Sequence, residues 1–167
     1  MINDMVPDLI VKTMYDIPME YLKEKKVKGL ILDLDNTIAP YSQKLPTQEN
    51  KELLLKIQEE GLQIVVVSNN HKERVEMFMK ELDIPSIANA KKPLLKAYRR
   101  AKEILALSAH EIAVVGDQIY TDVWGGNKMG MITVLVSPIE TKESLFFKLK
   151  RLLEKPAIDR YYKKNAC

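Results

Sequence analysis

The sequence predicts an α/β fold in which helices cover both faces of a central parallel sheet. Apolar runs of strand length alternate along the chain with longer segments of helical periodicity, which is the pattern of such folds. The longer runs consist largely of Val, Ile and Leu, as strands buried on both faces require. The predicted strands span residues 29–33, 63–67, 112–115 and 132–136, with a shorter one near 86–88.

Helices are predicted between these strands. Apolar residues recur at helical spacing over residues 48–60, 72–82, 94–105 and 142–154. Thr47 is a plausible N-cap of the first helix and Gly61 the residue after its end. Pro93 suits the first turn of the third helix. Before the first strand, residues 18–25 and part of 8–15 are also predicted to be helical.

Length and composition indicate one globular domain. The chain has 167 residues, of which 46% are hydrophobic and 29% charged. We expect a single domain over residues 1–167, with an N-terminal helical extension (1–28), a motif-bearing core (29–136), and a C-terminal helix and basic tail (137–167). The connections after the first two core strands are short, so we expect no cap domain over the site.

Charge and hydropathy indicate where in the cell the protein is expected to act. The net charge of +3 is mild and gives no strong nucleic-acid signal. No apolar run approaches the roughly 20 residues of a transmembrane helix. The first residues lack the basic and then apolar pattern of a signal peptide. We therefore expect a cytoplasmic protein that can also act peripherally at the inner face of a membrane.

The most informative segment is the end of the first core strand. The apolar run 30–32 leads into Asp33, Leu34, Asp35, Asn36 and Thr37. Side chains alternate along a strand, so the two aspartates leave on the same side and repel each other unless a cation lies near. Mg²⁺ bound by oxygen ligands fits this pattern. The alternative is a strand that simply ends in an Asp-Asn turn.

Polar and acidic residues that could bind a metal or a phosphate also follow two other predicted strands. Ser68, Asn69 and Asn70 follow the second strand, and Gly116-Asp117, with Asp122 further on, follows the strand 112–115. Ligands of open α/β sheets bind at the carboxyl ends of the strands, so these groups should meet. With the Lys91-Lys92-Pro93 segment before the third helix, they form a set suited to a metal-bound phosphate.

Together these residues resemble the haloacid dehalogenase (HAD) superfamily. Asp33-Leu34-Asp35-Asn36-Thr37, Ser68, Lys92-Pro93 and Gly116-Asp117 with Asp122 are similar to its four motifs in order. Their detailed form resembles the capless phosphatases of subclass IIIA, the YqeG-like group related to phosphatidylglycerophosphatases. The resemblance implies a three-layer Rossmann-like HAD core without a cap.

The resemblance also implies roles for these residues. Asp33 would be the nucleophile that forms an aspartyl-phosphate, and Asp35 the general acid and base. Mg²⁺ would be held by Asp33, the Asp35 backbone carbonyl and Asp117, with support from Asp122. Lys92 would stabilise the transition state and bind phosphate. The remaining phosphate-binding residues would be Thr37, Ser68 and Asn69.

Several of these residues have ordinary structural alternatives. Ser68 could cap the following helix, Thr37 could stabilise the turn, and Asp122 could interact with a helix dipole. Lys91 suits the chemistry nearly as well as Lys92, which is preferred only because the family places its lysine directly before proline.

The C-terminal segment has two interpretations. Its leucines form an apolar stripe among lysines and arginines from residue 142 to 164. Such a helix can cover the sheet and leave a solvated tail, or it can lie on an anionic membrane.

The functional prediction is a Mg²⁺-dependent phosphomonoesterase that acts on a phosphorylated substrate. An open site and basic segments suit a substrate on a large surface, and together with the resemblance they imply phosphatidylglycerophosphate, with the head group of the phospholipid presented at a membrane surface. The alternatives are a phosphatase of phosphoproteins, nucleotides or sugar phosphates, and a binding or regulatory module for a protein or RNA.

Overall fold

The computed structural model describes residues 3–141 and 145–166 of the chain, without the side chains of residues 146 and 147. Within these residues, six parallel strands form one sheet in the order β1-β6-β5-β2-β3-β4. The strands are β1 (Leu9–Val11), β2 (Gly29–Leu32), β3 (Gln63–Val67), β4 (Ser86–Ile87), β5 (Ile112–Gly116) and β6 (Ile132–Val136).

The centre of the sheet is β2, which pairs with β3 on one side and β5 on the other. Leu32 is in register with Val66 of β3 and with Val115 of β5. Because all pairings are parallel, the carboxyl ends of the strands lie at one edge of the sheet. The predicted parallel sheet is confirmed.

Helices form a layer on each face of the sheet. They are α1 (Met19–Glu24), α2 (Gln48–Glu59), α3 (Lys72–Met79), α4 (Leu95–Leu105), α5 (Trp124–Lys128) and α6 (Leu145–Asn165). Leu30 and Leu32 of β2 pack in the apolar cluster that includes residues of α1, α2 and α3. Ile31 points the other way and packs with α4. These two clusters give the three-layer architecture expected of a HAD core.

The start and end of α2 follow the predicted signals. Thr47 is the N-cap, and its hydroxyl accepts a hydrogen bond from the Asn50 backbone N–H at 3.2 Å. The Asn50 side chain accepts in return from the Thr47 N–H at 3.0 Å, so two donors at the helix start are satisfied. Gly61 follows the helix with a φ of 86°, which glycine adopts at little cost.

The N-terminal extension differs from its prediction. Residues 18–25 contain α1. Within 8–15 only Met14 and Tyr15 are helical, in a short 3₁₀ turn (Met14–Asp16), and residues 9–11 form the edge strand β1. Leu9 pairs with Val134 and Val11 with Val136 of β6. A three-residue edge strand is too short for a periodic pattern, and only its long-range pairing defines it.

Three helix boundaries also differ, the first being the end of α3, which lies at Met79 and not at residue 82. Helix α4 begins at Leu95, one residue after its predicted start, and Pro93 lies in the turn before the N-cap Leu94 and not in the first turn of the helix. Helix α6 does not end at residue 154 but continues through Pro156 to Asn165. Its predicted start at residues 142–144 lies outside the described residues.

The site edge of the sheet carries no inserted domain among the described residues. Residues 33–47, between β2 and α2, contain only an isolated bridge between Asp35 and Ala39. Between β3 and β4, α3 is the single helix. The expected absence of a cap therefore holds for both connections. No helix in the described ranges is long and apolar enough to cross a membrane.

Candidate active site

The carboxyl ends of the central strands open into a cavity of about 540 Å³. Asp33 and Asp35 reach it from the end of β2, Ser68 and Asn69 from the end of β3, and Lys92 from the loop after β4. The structure therefore brings together residues that are distant in the chain, such as Asp33 and Lys92, which are 59 positions apart. An open α/β sheet is expected to bind its ligand at this edge.

Lys92 connects two of the predicted aspartates. Its Nζ lies 2.7 Å from Asp33 Oδ1 and 2.6 Å from Asp122 Oδ1, and its side chain is only 3% exposed. A buried ammonium is stable only when it is paired and hydrogen-bonded, and here two carboxylates meet that need. Lys91, by contrast, is exposed, so Lys92 is the lysine that the structure brings into the cavity.

Burial and charge shift the ionisation of this pair. Burial raises the pKa of Asp33 to about 6, although the Lys92 ammonium acts in the opposite direction. Burial opposes the charged form of Lys92, but Asp122 and Asp33 outweigh that effect and raise the pKa of Lys92. Lys92 is thus a fixed positive charge beside Asp33 throughout the physiological pH range.

Asp117 lies beside Asp33 and Asp122, with both of its carboxylate oxygens buried and without a hydrogen-bond partner. Burial, followed by repulsion from Asp33 and Asp122, raises the pKa of Asp117 to about 8. Carboxylate oxygens of Asp33, Asp117 and Asp122 all lie within 4.8 Å of one another. Since hard divalent cations prefer such oxygen ligands, these residues fit a Mg²⁺ site.

Gly116 is required for the close approach of Asp122. A Cβ at Gly116 would lie 2.2 Å from the Asp122 carboxyl carbon, so any larger residue would displace that side chain. The Gln118 backbone N–H donates to Asp122 Oδ2 at 3.2 Å and holds the carboxylate in place. In the Gly116-Asp117 motif, the glycine is therefore needed for space and the aspartate for its carboxylate.

Asp35 has different neighbours from Asp33. Its Oδ1 accepts from Arg74 Nη2 at 3.0 Å and Nε at 3.3 Å, and its Oδ2 accepts from Asn70 Nδ2 at 2.9 Å. Arg74 also lies over the Phe78 ring, with its guanidinium carbon 5.4 Å from the ring centre. These contacts fix the direction of the Asp35 carboxylate at the cavity wall.

The three predicted phosphate-binding side chains are placed differently. Thr37 Oγ1 donates to Asp33 Oδ2 at 3.4 Å, and Ser68 Oγ accepts from the Asn70 N–H at 3.1 Å. Asn69 Oδ1 accepts from the Lys92 N–H at 2.6 Å, and Asn69 Nδ2 donates to the Lys92 carbonyl at 3.3 Å. Asn69 thus holds the Lys92 backbone, and both ends of its amide are already engaged.

Other residues at or beside the cavity were given no role from the sequence. Asn70 and Arg74 contact Asp35, and Gln118 and Lys150 line the cavity. Lys150 Nζ donates to Gln118 Oε1. Asn70 could have been found from its place beside Ser68 and Asn69. Lys150 could not, because the packing of α6 brings it to the site from far along the chain.

Solved structures similar to this one share its fold. A protein from Listeria monocytogenes superposes with a TM-score of 0.57 at 15% identity, covering 71% of this chain and 85% of that one. The 3-deoxy-D-manno-octulosonate 8-phosphate phosphatase of Moraxella catarrhalis, in complex with magnesium and phosphate, gives 0.51 at 14% identity. That comparison covers 89% of this chain and 98% of that one.

Proteins of similar sequence indicate which class of enzyme this chain belongs to. "Probable phosphatase YqeG" of Bacillus subtilis is 39% identical over 90% of this chain and 87% of its own length. "Phosphatidylglycerophosphatase GEP4, mitochondrial" of Saccharomyces cerevisiae is 31% identical over 78% of this chain and 76% of its own. The sequence model of the mitochondrial PGP phosphatase family matches residues 2–140.

The fold and the relatives together define a phosphatase of the HAD superfamily, a hydrolase of phosphoric monoesters, similar to YqeG. Within that class, the chain belongs to the mitochondrial PGP phosphatase family.

Proposed function

We propose that this protein is a Mg²⁺-dependent phosphatase that acts through an aspartyl-phosphate and hydrolyses the terminal monoester of phosphatidylglycerophosphate. The observation that carries the proposal is the position of Asp33. It lies at an open cavity, 2.7 Å from a buried ammonium and within 4.8 Å of the unpartnered Asp117 carboxylate. A nucleophilic carboxylate needs this setting, because it must approach a phosphate dianion that repels it.

The buried charges support a divalent cation. Three carboxylates share a single buried ammonium, which leaves two negative charges uncompensated when all are ionised. Asp33, Asp117 and Asp122 would hold Mg²⁺, with the Asp35 backbone carbonyl as a further ligand. When bound, the ion would reduce the repulsion between Asp33 and the phosphate and polarise the phosphoryl oxygens.

In the first step, an oxygen of Asp33 attacks phosphorus and the bond from phosphorus to the leaving oxygen breaks. Asp35 gives its proton to that oxygen, so that an alcohol leaves and not an alkoxide. Arg74 and Asn70 keep the Asp35 carboxyl group in one direction for this transfer. Lys92 stabilises the charge that develops on the phosphoryl group, and Thr37 and Ser68 bind its oxygens.

In the second step, Asp35 takes a proton from water, and the water oxygen attacks the phosphorus of the aspartyl-phosphate. Cleavage of the acyl–phosphate bond releases inorganic phosphate and regenerates the Asp33 carboxylate. The proton that Asp35 takes from water replaces the proton that it gave to the leaving oxygen. Asn69 contributes indirectly, because its amide positions the Lys92 backbone.

The substrate proposal depends on access and charge. Without a cap, the cavity can receive a phosphate that projects from a large surface, such as a lipid head group in a bilayer. Lys150 at the cavity wall adds a positive charge suited to the second, diester phosphate of such a lipid. Relatives from Saccharomyces cerevisiae and Arabidopsis thaliana carry the name of this activity, although the chain spans only 49% of the latter.

Phosphate release would test the proposal. The panel would contain phosphatidylglycerophosphate in vesicles, p-nitrophenyl phosphate, sugar phosphates, nucleotides and a phosphopeptide, each with Mg²⁺ or EDTA. We expect the lipid to be the best substrate, with activity lost in EDTA. Asp33→Asn should lower turnover by at least about 10³-fold, since it removes the nucleophile.

Asp83→Asn is the matched control, because Asp83 is exposed and does not line the cavity. Undiminished turnover by Asp33→Asn would contradict the nucleophile. A better soluble substrate would replace the lipid, and no activity on any monoester would favour a binding module for a protein or RNA.

A further inference from the structure

The C-terminal helix α6 has two unlike faces. Its inward face carries Glu154 and Ala157, which are 1% and 4% exposed. Glu154 accepts from the Ile119 N–H at 3.2 Å, and Ala157 packs in a small apolar cluster with Ile119. The helix is therefore attached to the domain through an inward face that excludes its leucines.

The outward face carries leucines that contact little of the protein. The exposed fractions are 86% for Leu145, 56% for Leu149, 65% for Leu152 and 56% for Leu153. Their spacing places them on one side of the helix over two turns. The interpretation that this stripe covers the sheet is therefore wrong for these four residues. We call them the leucine face.

Basic side chains lie within and after the leucine face along α6. Five exposed cations and one exposed carboxylate lie on the same helix: Lys148, Lys155, Arg160, Lys163, Lys164 and Asp159. Most of them line a groove of about 1000 Å³ between α6 and the N-terminal segment, which Leu152 also borders. An apolar stripe beside an excess of positive charge is complementary to the surface of an anionic bilayer.

The same helix also reaches the active site. Lys150, the residue after Leu149, lines the cavity and donates to Gln118 Oε1. One turn later, the Tyr120 hydroxyl donates to the Leu153 carbonyl at 3.0 Å, which ties the leucine face to the segment that follows Asp117. A surface bound by the leucine face would therefore lie beside the cavity.

We propose that the leucine face of α6 docks on an anionic lipid bilayer and brings the active-site cavity to lipid-borne phosphates. This inference deepens the proposed function and rests on it, since a lipid phosphatase must reach its substrate at a bilayer. Helix α6 lies outside residues 2–140, the part of the chain that the family model matches. A bilayer suits the face better than a second copy of the chain, because a symmetric dimer would bring the same cations together.

Vesicle flotation of the full chain would test the docking surface. The vesicles would be phosphatidylcholine alone or phosphatidylcholine mixed with phosphatidylglycerol, and Leu149→Ser combined with Leu152→Ser would remove the centre of the face. We expect wild type to float with the mixed vesicles and the double variant to bind at least about tenfold more weakly. Leu55→Ser is the matched control, because Leu55 is 54% exposed but lies on α2.

A charge variant, Lys148→Glu with Lys155→Glu, gives a second measurement. It should weaken binding to the mixed vesicles, while Lys96→Glu on α4 should not. Failure of wild type to bind, equal binding to both kinds of vesicle, or undiminished binding by the double leucine variant would overturn the proposal. So would a wild-type dimer in light scattering that the leucine variant converts to a monomer.

Hydrolysis of p-nitrophenyl phosphate separates this inference from the proposed function. The leucine variant should keep wild-type activity on that soluble monoester and lose activity on lipid in vesicles. Soluble activity without vesicle binding would reject the docking surface alone. Vesicle binding without any phosphatase activity would reject the proposed function but leave the membrane contact established.

Discussion

Asp33 and Asp35 stand two residues apart, and the structure gives them different surroundings. Their side chains are equally exposed, at 11% each, so the difference lies in their neighbours. Asp33 shares a buried ammonium with Asp122 and faces the unpartnered Asp117. Asp35 is held by a guanidinium and an amide.

The comparison teaches that one strand end can support two kinds of chemistry. The Asp33 region concentrates charge, as a nucleophile attacking a dianion requires. The Asp35 region fixes direction, as proton transfer to a leaving group requires. Each region predicts a different response to mutation and to pH.

Of the changes that test this comparison, removal of the positive charge beside Asp33 is expected to lower kcat the most. Lys92→Met removes the buried ammonium, which leaves Asp33 and Asp122 unpaired and the phosphoryl group without its fixed cation. We expect kcat on a soluble monoester to fall by about 10²–10³-fold. Lys91→Met is the matched control and should stay within about twofold of wild type, because Lys91 is exposed. Equal losses in the two variants would mean that position 92 has no special role.

A smaller fall in kcat is expected when the Asp35 carboxyl group loses its fixed orientation. Arg74→Met removes the contacts from Nε and Nη2, so the carboxyl group loses its fixed orientation. We expect kcat to fall by about tenfold with little change in KM, since Arg74 acts through Asp35. Arg74→Lys should not restore kcat, because a single ammonium cannot reproduce two guanidinium contacts. Arg99→Met, an exposed change on α4, is the control. A rise in KM alone would instead place Arg74 on the substrate.

The third predicted effect is a pH dependence of stability, and it arises in the region around Asp33. Burial raises the pKa of Asp33 from 3.8 to about 6 and that of Asp117 from 3.8 to about 8. The folded protein therefore keeps protons that the unfolded chain has released, and these two groups lower the free energy of unfolding as pH rises from about 4 to about 8. A cation that binds the ionised carboxylates should offset this loss.

Thermal unfolding with EDTA or with Mg²⁺ at pH 5.5 and pH 8 would measure this effect. We expect Mg²⁺ to raise Tm by several degrees at pH 8 and by much less at pH 5.5, where protons occupy the same oxygens. In Asp117→Asn the Mg²⁺ shift should disappear. An equal shift at both pH values would show that the cation binds elsewhere.

Much of the fold could be predicted from local pattern. The strands at 63–67 and 132–136 and the start of α2 at Thr47 are confirmed because buried strands and capped helices depend on neighbouring residues. β1 and the course of α6 through Pro156 were missed. The first depends on pairing with β6, and the second on contacts of Glu154 and Ala157 with a distant segment.

The sequence by itself determined where the site lies and which residue types it contains. A parallel sheet places the carboxyl ends of its strands at one edge, so the polar residues that follow those strands must meet there. The tertiary structure alone decided which lysine enters the cavity, which cation holds Asp35, and that Lys150 reaches the site from α6. It also decided that the leucines of α6 face outward. These outcomes depend on side-chain direction and long-range packing, and neither is encoded in the spacing of residues along one segment.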